Sequence, residues 1–130
     1  MYQIDLMSRV PVYEQIVNQT ERFILLGVLQ PGDKMPSVRQ LSAELSINPN
    51  TIQKAFTELD RRGIIFSVGG RGTFVTEMAA KALAVSRRDR LEGIRSQIEE
   101  FAMAGIGLEE LKQYIGEIYE SAGKGEDRHD

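Results

Sequence analysis

From Val12 to Val28, apolar residues return every three or four positions: Val12, Ile16, Phe23, Ile24 and Val28, with Thr20 in step. That spacing predicts an amphipathic helix. Pro11 opens it, because its ring already holds the φ angle of a first helical turn. Ahead of it, Tyr2 to Leu6 alternates and predicts a short strand. Gln30-Pro31-Gly32-Asp33 then predicts a turn, since Pro cannot continue a helix and Gly tolerates φ > 0. Val38, Leu41 and Leu45 form a second, shorter stripe that ends near Ser46-Ile47. Ser37, with Gln40 three residues on, predicts a capping box at its start. A third helix begins at Asn48, a good N-cap, followed by Pro49, a good first residue. Its buried face is Ile52, Ala55, Phe56 and Leu59, and its opposite face carries Asn50, Gln53, Lys54 and Thr57. Arg61-Arg62-Gly63 closes it.

The period then changes. Ile64 to Val68 and Thr73 to Thr76 are β-branched and aromatic runs flanking Gly69-Gly70-Arg71-Gly72, which predicts a hairpin with a glycine-rich tip. From Met78 the pattern is helical again. Leu91, Ile94, Ile98 and Phe101 make a heptad-like seam, broken by Gly105-Ile106-Gly107. Leu108, Leu111, Ile115, Ile118 and Tyr119 mark a last helix. Residues 123–130 are polar and glycine-containing and predict a disordered tail. The fold class is mostly α with a small β-hairpin. The order helix, short helix, tight turn, helix, hairpin describes a winged helix-turn-helix over 1–77. A short two-helix C-terminal region over 78–122 follows it.

Composition changes this picture mainly by exclusion. The chain has 130 residues, no Cys and one His. That leaves no disulfide framework, no thiolate metal site and no nucleophile–base arrangement of the common kinds. We expect no cofactor, no metal and no enzymatic activity. No apolar stretch approaches the about 20 residues a membrane span needs, and the N-terminus lacks a signal pattern, so a cytoplasmic protein is expected. The glycine-rich tip lacks the Gly-Lys-Ser/Thr ending of a nucleotide loop. His129 lies in the tail and is assigned no role. Net charge is −3, which by itself gives no reason to expect nucleic acid. The distribution does. Lys34 to Val75 holds six basic and three acidic residues, while Ser96 to Asp130 holds three basic and nine acidic. The acidity sits at the C-terminal end and the winged segment is positive.

In such a fold the third helix would enter a major groove with its N-terminal residues nearest the bases. Amides suit that task, since Asn and Gln can make two hydrogen bonds to adenine and Thr can reach a base or its methyl group. Arg71 supplies charge at the hairpin tip, and glycines let the backbone approach closely. Residues 10–76 also carry a pattern: Pro11-x-Tyr13-x-Gln15-Ile16, Pro31-Gly32-x-x-x-Pro36-Ser37-x-Arg39-x-Leu41, Asn48-Pro49-Asn50-Thr51-Ile52 and Gly70-x-Gly72-Thr73-Phe74-Val75. This resembles the DNA-binding domain of GntR-family transcription regulators, and the short C-terminal part resembles the YtrA subfamily. The resemblance implies DNA contacts from Arg39, Asn48, Asn50, Thr51 and Gln53, with Gly70 and Gly72 as wing-tip glycines; Ser37, Lys54 and Arg71 complete the expected DNA-binding set. Pro49 stands where many members carry a guanine-reading Arg, which shifts base readout to Asn50, Gln53 and Lys54.

About 45 C-terminal residues are too few to bury a core alone. A symmetric homodimer through Leu91, Ile94, Ile98, Phe101, Leu108, Leu111, Ile115 and Ile118 is therefore expected. The expected function is a repressor on a palindromic double-stranded DNA operator, with no membrane partner. A small-molecule effector, if one exists, would bind between subunits or domains. Two alternatives stand beside this reading: a winged-helix protein-interaction module, and the N-terminal fragment of a longer regulator.

Overall fold

The computed structural model describes the backbone of residues 1–127 and the side chains of residues 1–123; His129 and the end of the expected tail lie outside the described residues. Two compact units are present, Met1–Ala84 and a second beginning at Val85.

The first unit is built on α1 (Val12–Leu25), α2 (Val38–Leu45) and α3 (Pro49–Arg61), followed by β1 (Ile65–Val68) and β2 (Gly72–Val75). Pro11 is the N-cap of α1. The capping box on α2 is formed in both directions: Gln40 N–H donates to Ser37 Oγ, and Ser37 N–H donates to Gln40 Oε1, each at 3.0 Å. Ser46 ends α2 in the left-handed region, with φ 55°. Two residues on, Asn48 Oδ1 accepts the Asn50 N–H at 2.8 Å and starts α3. The tight turn between α2 and α3 therefore follows from one left-handed residue and one side-chain cap. Ile52, Ala55, Phe56 and Leu59 of α3 are buried against Ile16, Val17 and Ile24 of α1 and Leu41 of α2, in one core. Each large apolar side chain there contributes about 1.5–3 kcal/mol on burial.

The hairpin is antiparallel, with Phe66 opposite Phe74 and Val68 opposite Gly72. A third segment joins it along the free edge of β2. Gly32 N–H donates to Val75 O, Val75 N–H to Asp33 O, and Met35 N–H to Thr73 O, at 2.8–2.9 Å. Met35 thereby enters the core and Lys34 is left facing the wing.

The N-terminal segment differs from expectation. Residues 2–6 form no strand. Their backbone groups pair instead with side-chain amides of α1. Gln15 Oε1 accepts Asp5 N–H and its Nε2 donates to Asp5 O and Val10 O, while Gln19 exchanges both bonds with Gln3. Two glutamine amides thus take the place of a neighbouring strand. Tyr2 is buried, packs edge-on against Phe23, and lies 2.6 Å from Thr20 Oγ1. Thr20 donates its own proton to Ile16 O, so Tyr2 is the donor of this pair.

The first compact unit continues past residue 77. Ala79 and Leu83, in the first turns of α4 (Ala79–Leu91), belong to the first unit's core, which carries that unit to Ala84. Beyond α4, the seam expected from Leu91 to Phe101 is interrupted by a 3₁₀ turn at Glu92–Ile94, centred on Gly93. α5 (Arg95–Met103) and α6 (Leu108–Asp127) follow, so α6 runs past Gly123, where the tail was expected to start. From residue 85 to 123 no side chain is buried; Ser86, Arg87, Ile106, Leu111 and Gly123 are half-buried. Among the described residues no helix is long and apolar enough to cross a membrane.

Candidate DNA-binding surface

Three parts of the first unit meet on one surface: the start of α2, the outer face of α3 and the hairpin. Arg39 is the second residue of α2 and is exposed. A cation in a first helical turn opposes the helix dipole at a cost of about 0.3–1 kcal/mol. Its position is therefore poor for stability and good for holding an anion brought from outside.

On α3, Asn50, Gln53, Lys54 and Thr57 are exposed and Thr51 is half-buried. They do not share one environment. Gln53 Nε2 donates to Thr57 Oγ1 at 3.4 Å, and both line a groove of about 370 Å³ against the hairpin, with Ser67, Thr73, Asp60 and Arg61. Lys54 turns to the other side, where its Nζ lies 4.0 Å from the centre of the Tyr13 ring of α1. This cation–π contact ties Lys54 to α1 and makes it a weaker candidate for base readout than Gln53. Asn48 Oδ1 is taken by its cap, which leaves only its amide N–H₂ for a partner. Ser37 Oγ is likewise an acceptor within the capping box, which leaves its proton available as a donor.

On the wing, Gly70 and Gly72 have φ of 76° and 118°, conformations that favour glycine. A Cβ at Gly72 would lie 2.8 Å from Lys34 Cε, the far end of a flexible side chain that can move aside. Arg71 between them is exposed. Ser37, Arg71 and Gly72 meet in a second cleft, of about 320 Å³, together with Lys34 and Gln40. Lys34 belongs to this surface although the local pattern gave no sign of it. Its placement depends on pairing with Phe74, forty residues away in sequence.

Behind the surface, a charge network fixes the end of α3. Arg62 donates to Glu58 at 2.8 Å and to Glu21 of α1 at 3.1 Å; the Glu21 side chain is 2% exposed. Arg61 also donates to Glu58. Hydrogen bonds from Arg61 and then Arg62 hold the Glu58 carboxyl down at about 2, from an ordinary 4.5. A depressed carboxylate stabilises the fold above its unfolded value and loses that contribution as pH falls from about 4.5 to about 2. The melting temperature should fall through that window, and Glu58→Gln should flatten part of the fall. Parallel curves for the two proteins would show that the network adds nothing to stability.

The expected dimer residues all lie in the second unit. Leu91, Ile94, Ile98, Phe101, Leu108, Ile115 and Ile118 are between 38% and 67% exposed, and Leu111 is half-buried. Phe101, Ile106, Leu111, Tyr114 and Glu110 line an apolar hollow of about 300 Å³ there. Among the described residues no cluster of His, Asp or Glu could hold a metal ion.

Residues 12–75 match the model of the bacterial regulatory proteins of the gntR family. The HTH-type transcriptional repressor YtrA of Bacillus subtilis is 43% identical over 119 residues, covering 91% of this chain and 92% of that protein. A GntR family transcriptional regulator from Listeria monocytogenes superposes with a TM-score of 0.71 at 33% identity, covering 88% of this chain and 98% of that one. The crystal structure of AraR(DBD) in complex with operator ORX1 superposes with a TM-score of 0.51 at 30% identity, covering 57% of this chain and 92% of that one.

Proposed function

Because the chain belongs to the gntR family of bacterial regulatory proteins, we propose that it is a sequence-specific DNA-binding transcription regulator that represses by occupying an operator as a homodimer. The observation that carries this reading is the surface itself. A helix capped by Asn48 presents Asn50 and Gln53 beside a glycine-tipped wing, with Arg39 at the start of the helix before it. Asn50 and Gln53 read base edges in the major groove; Arg39 and Arg71 hold backbone phosphates. Thr51 and Asn48 act mainly by setting the start of α3, and Lys54 contacts backbone from the α1 side. No bond is made or broken. The effect on transcription comes from excluding other proteins from the bound site, and the protein works in the cytoplasm, where that DNA is.

The homodimer is supported by the second unit. Residues 85–123 have no buried side chain but a row of exposed Leu, Ile and Phe on α4, α5 and α6. A helical segment of this size without a core needs a partner surface, and an isologous one is the simplest. Two such chains would offer two copies of α3 to half-sites about 34 Å apart, one turn of DNA. Selection of bound duplexes from a random pool by the full chain should return an inverted repeat with that spacing. Recovery of unrelated sequences, or of none, would count against the reading and favour a protein-interaction role.

A further inference from the structure

The cleft between the wing and the start of α2 has a composition that the DNA-reading surface of α3 lacks. Two cations, Lys34 and Arg71, line it, and no carboxylate does. The neighbouring groove along α3 contains Asp60 and is therefore electrically mixed. The Lys34 backbone is paired with Phe74 at the edge of the wing, and its terminal methylenes lie over Gly72. The stem thus rests along the wing while the residue stays exposed. Ser37 adds a hydroxyl whose oxygen already accepts the Gln40 amide and whose proton remains to be donated. Gly70 and Gly72, on either side of Arg71, add no side chain of their own to the wing side of the cleft.

We propose that this cleft is a seat for one phosphodiester of the bound DNA, gripped by Lys34 and Arg71 with the Ser37 hydroxyl, so that Lys34 fastens the wing and α2 to the same strand. The proposal rests on the DNA-binding reading above and adds a residue and a position to it. Lysine suits this place: it is a compact point charge with three donors, and a phosphate in a cleft asks for charge rather than for a planar fork. The glycine at position 72 is required by its φ of 118°, and the end of the Lys34 stem lies over it.

Lys34→Met keeps an unbranched stem over Gly72 and removes only the charge. The test is the salt dependence of binding, by the full-length chain, to a duplex recovered by selection and to a scrambled duplex of equal length. The slope of log K against log [salt] should become shallower by about 0.9 for each protomer, on both duplexes alike. The affinity ratio between the duplexes should stay unchanged, since a phosphate contact carries no sequence information. Lys34→Arg should recover the slope. An unchanged slope in Lys34→Met overturns the proposal, whatever the melting temperature does. A changed affinity ratio with the slope intact also overturns it, and makes Lys34 a base reader. If the wild-type chain binds neither duplex at low salt, the DNA reading itself falls and takes this seat with it; the wild-type measurement separates the two failures.

Discussion

Ile98→Glu is expected to convert the protein to monomers and to weaken operator binding by roughly 10²- to 10⁴-fold, the loss that follows when two tethered contacts become independent. Ile98 lies in α5, which has no buried residue of its own, and it stands outside the core of the first unit. The substitution should therefore leave the DNA-binding unit folded. In an isologous interface it acts twice, once from each protomer. A carboxylate with no partner in an apolar seam costs several kcal/mol in desolvation. Sedimentation velocity should show a single species of monomer mass, and anisotropy with a half-site duplex should still detect weak binding. A persistent dimer would mean that the exposed row from Leu91 to Ile118 does not form the interface.

Arg39→Ala should weaken operator binding by about 10- to 100-fold, equivalent to about 1.4–2.8 kcal/mol. The fold should not suffer. Arg39 is exposed in the first turn of α2, where the helix dipole disfavours a cation, so its removal should leave the melting temperature unchanged or raise it. The combination distinguishes a contact residue from a structural one. A fall in stability with unchanged affinity would remove Arg39 from the site and return it to the fold.

Part of this surface is legible in the sequence because part of it is local. Ser37 with Gln40, and Asn48 with Pro49, are signals within four residues of each other, and both caps are formed. The faces of α3 follow from helical spacing alone, which places Asn50, Gln53 and Thr57 outward, as they are. What is not legible depends on distant pairs. Lys34 reaches the wing because the segment around it pairs with β2. Lys54 turns away from Gln53 because Tyr13 of α1 offers its ring. Tyr2 to Leu6 alternates as a strand would, yet Gln15 and Gln19 supply its hydrogen bonds from a helix. In the second unit, a 3₁₀ turn at Glu92–Ile94 interrupts a seam that reads as regular in the sequence. Nor does the pattern reveal that Ala79 and Leu83 serve the first core, since α4 carries small and charged residues on every side.

Net charge illustrates the same point for function. A chain of −3 carries Lys34, Arg39 and Arg71 on the face proposed to meet DNA, while the Glu residues of α6 belong to the other unit. Binding should then be strongly weakened by salt in spite of the acidic total, because the phosphates meet only the local field.

The most direct measurement is the affinity of the full-length chain for a selected inverted-repeat duplex across a range of salt concentration, with a scrambled duplex alongside. Tight binding to the inverted repeat is expected, with a steep linear fall of log K with log [salt] and an affinity ratio of roughly 10³ or more over the scrambled duplex. Equal affinity for both duplexes, or binding that does not change with salt, would contradict the DNA-binding reading.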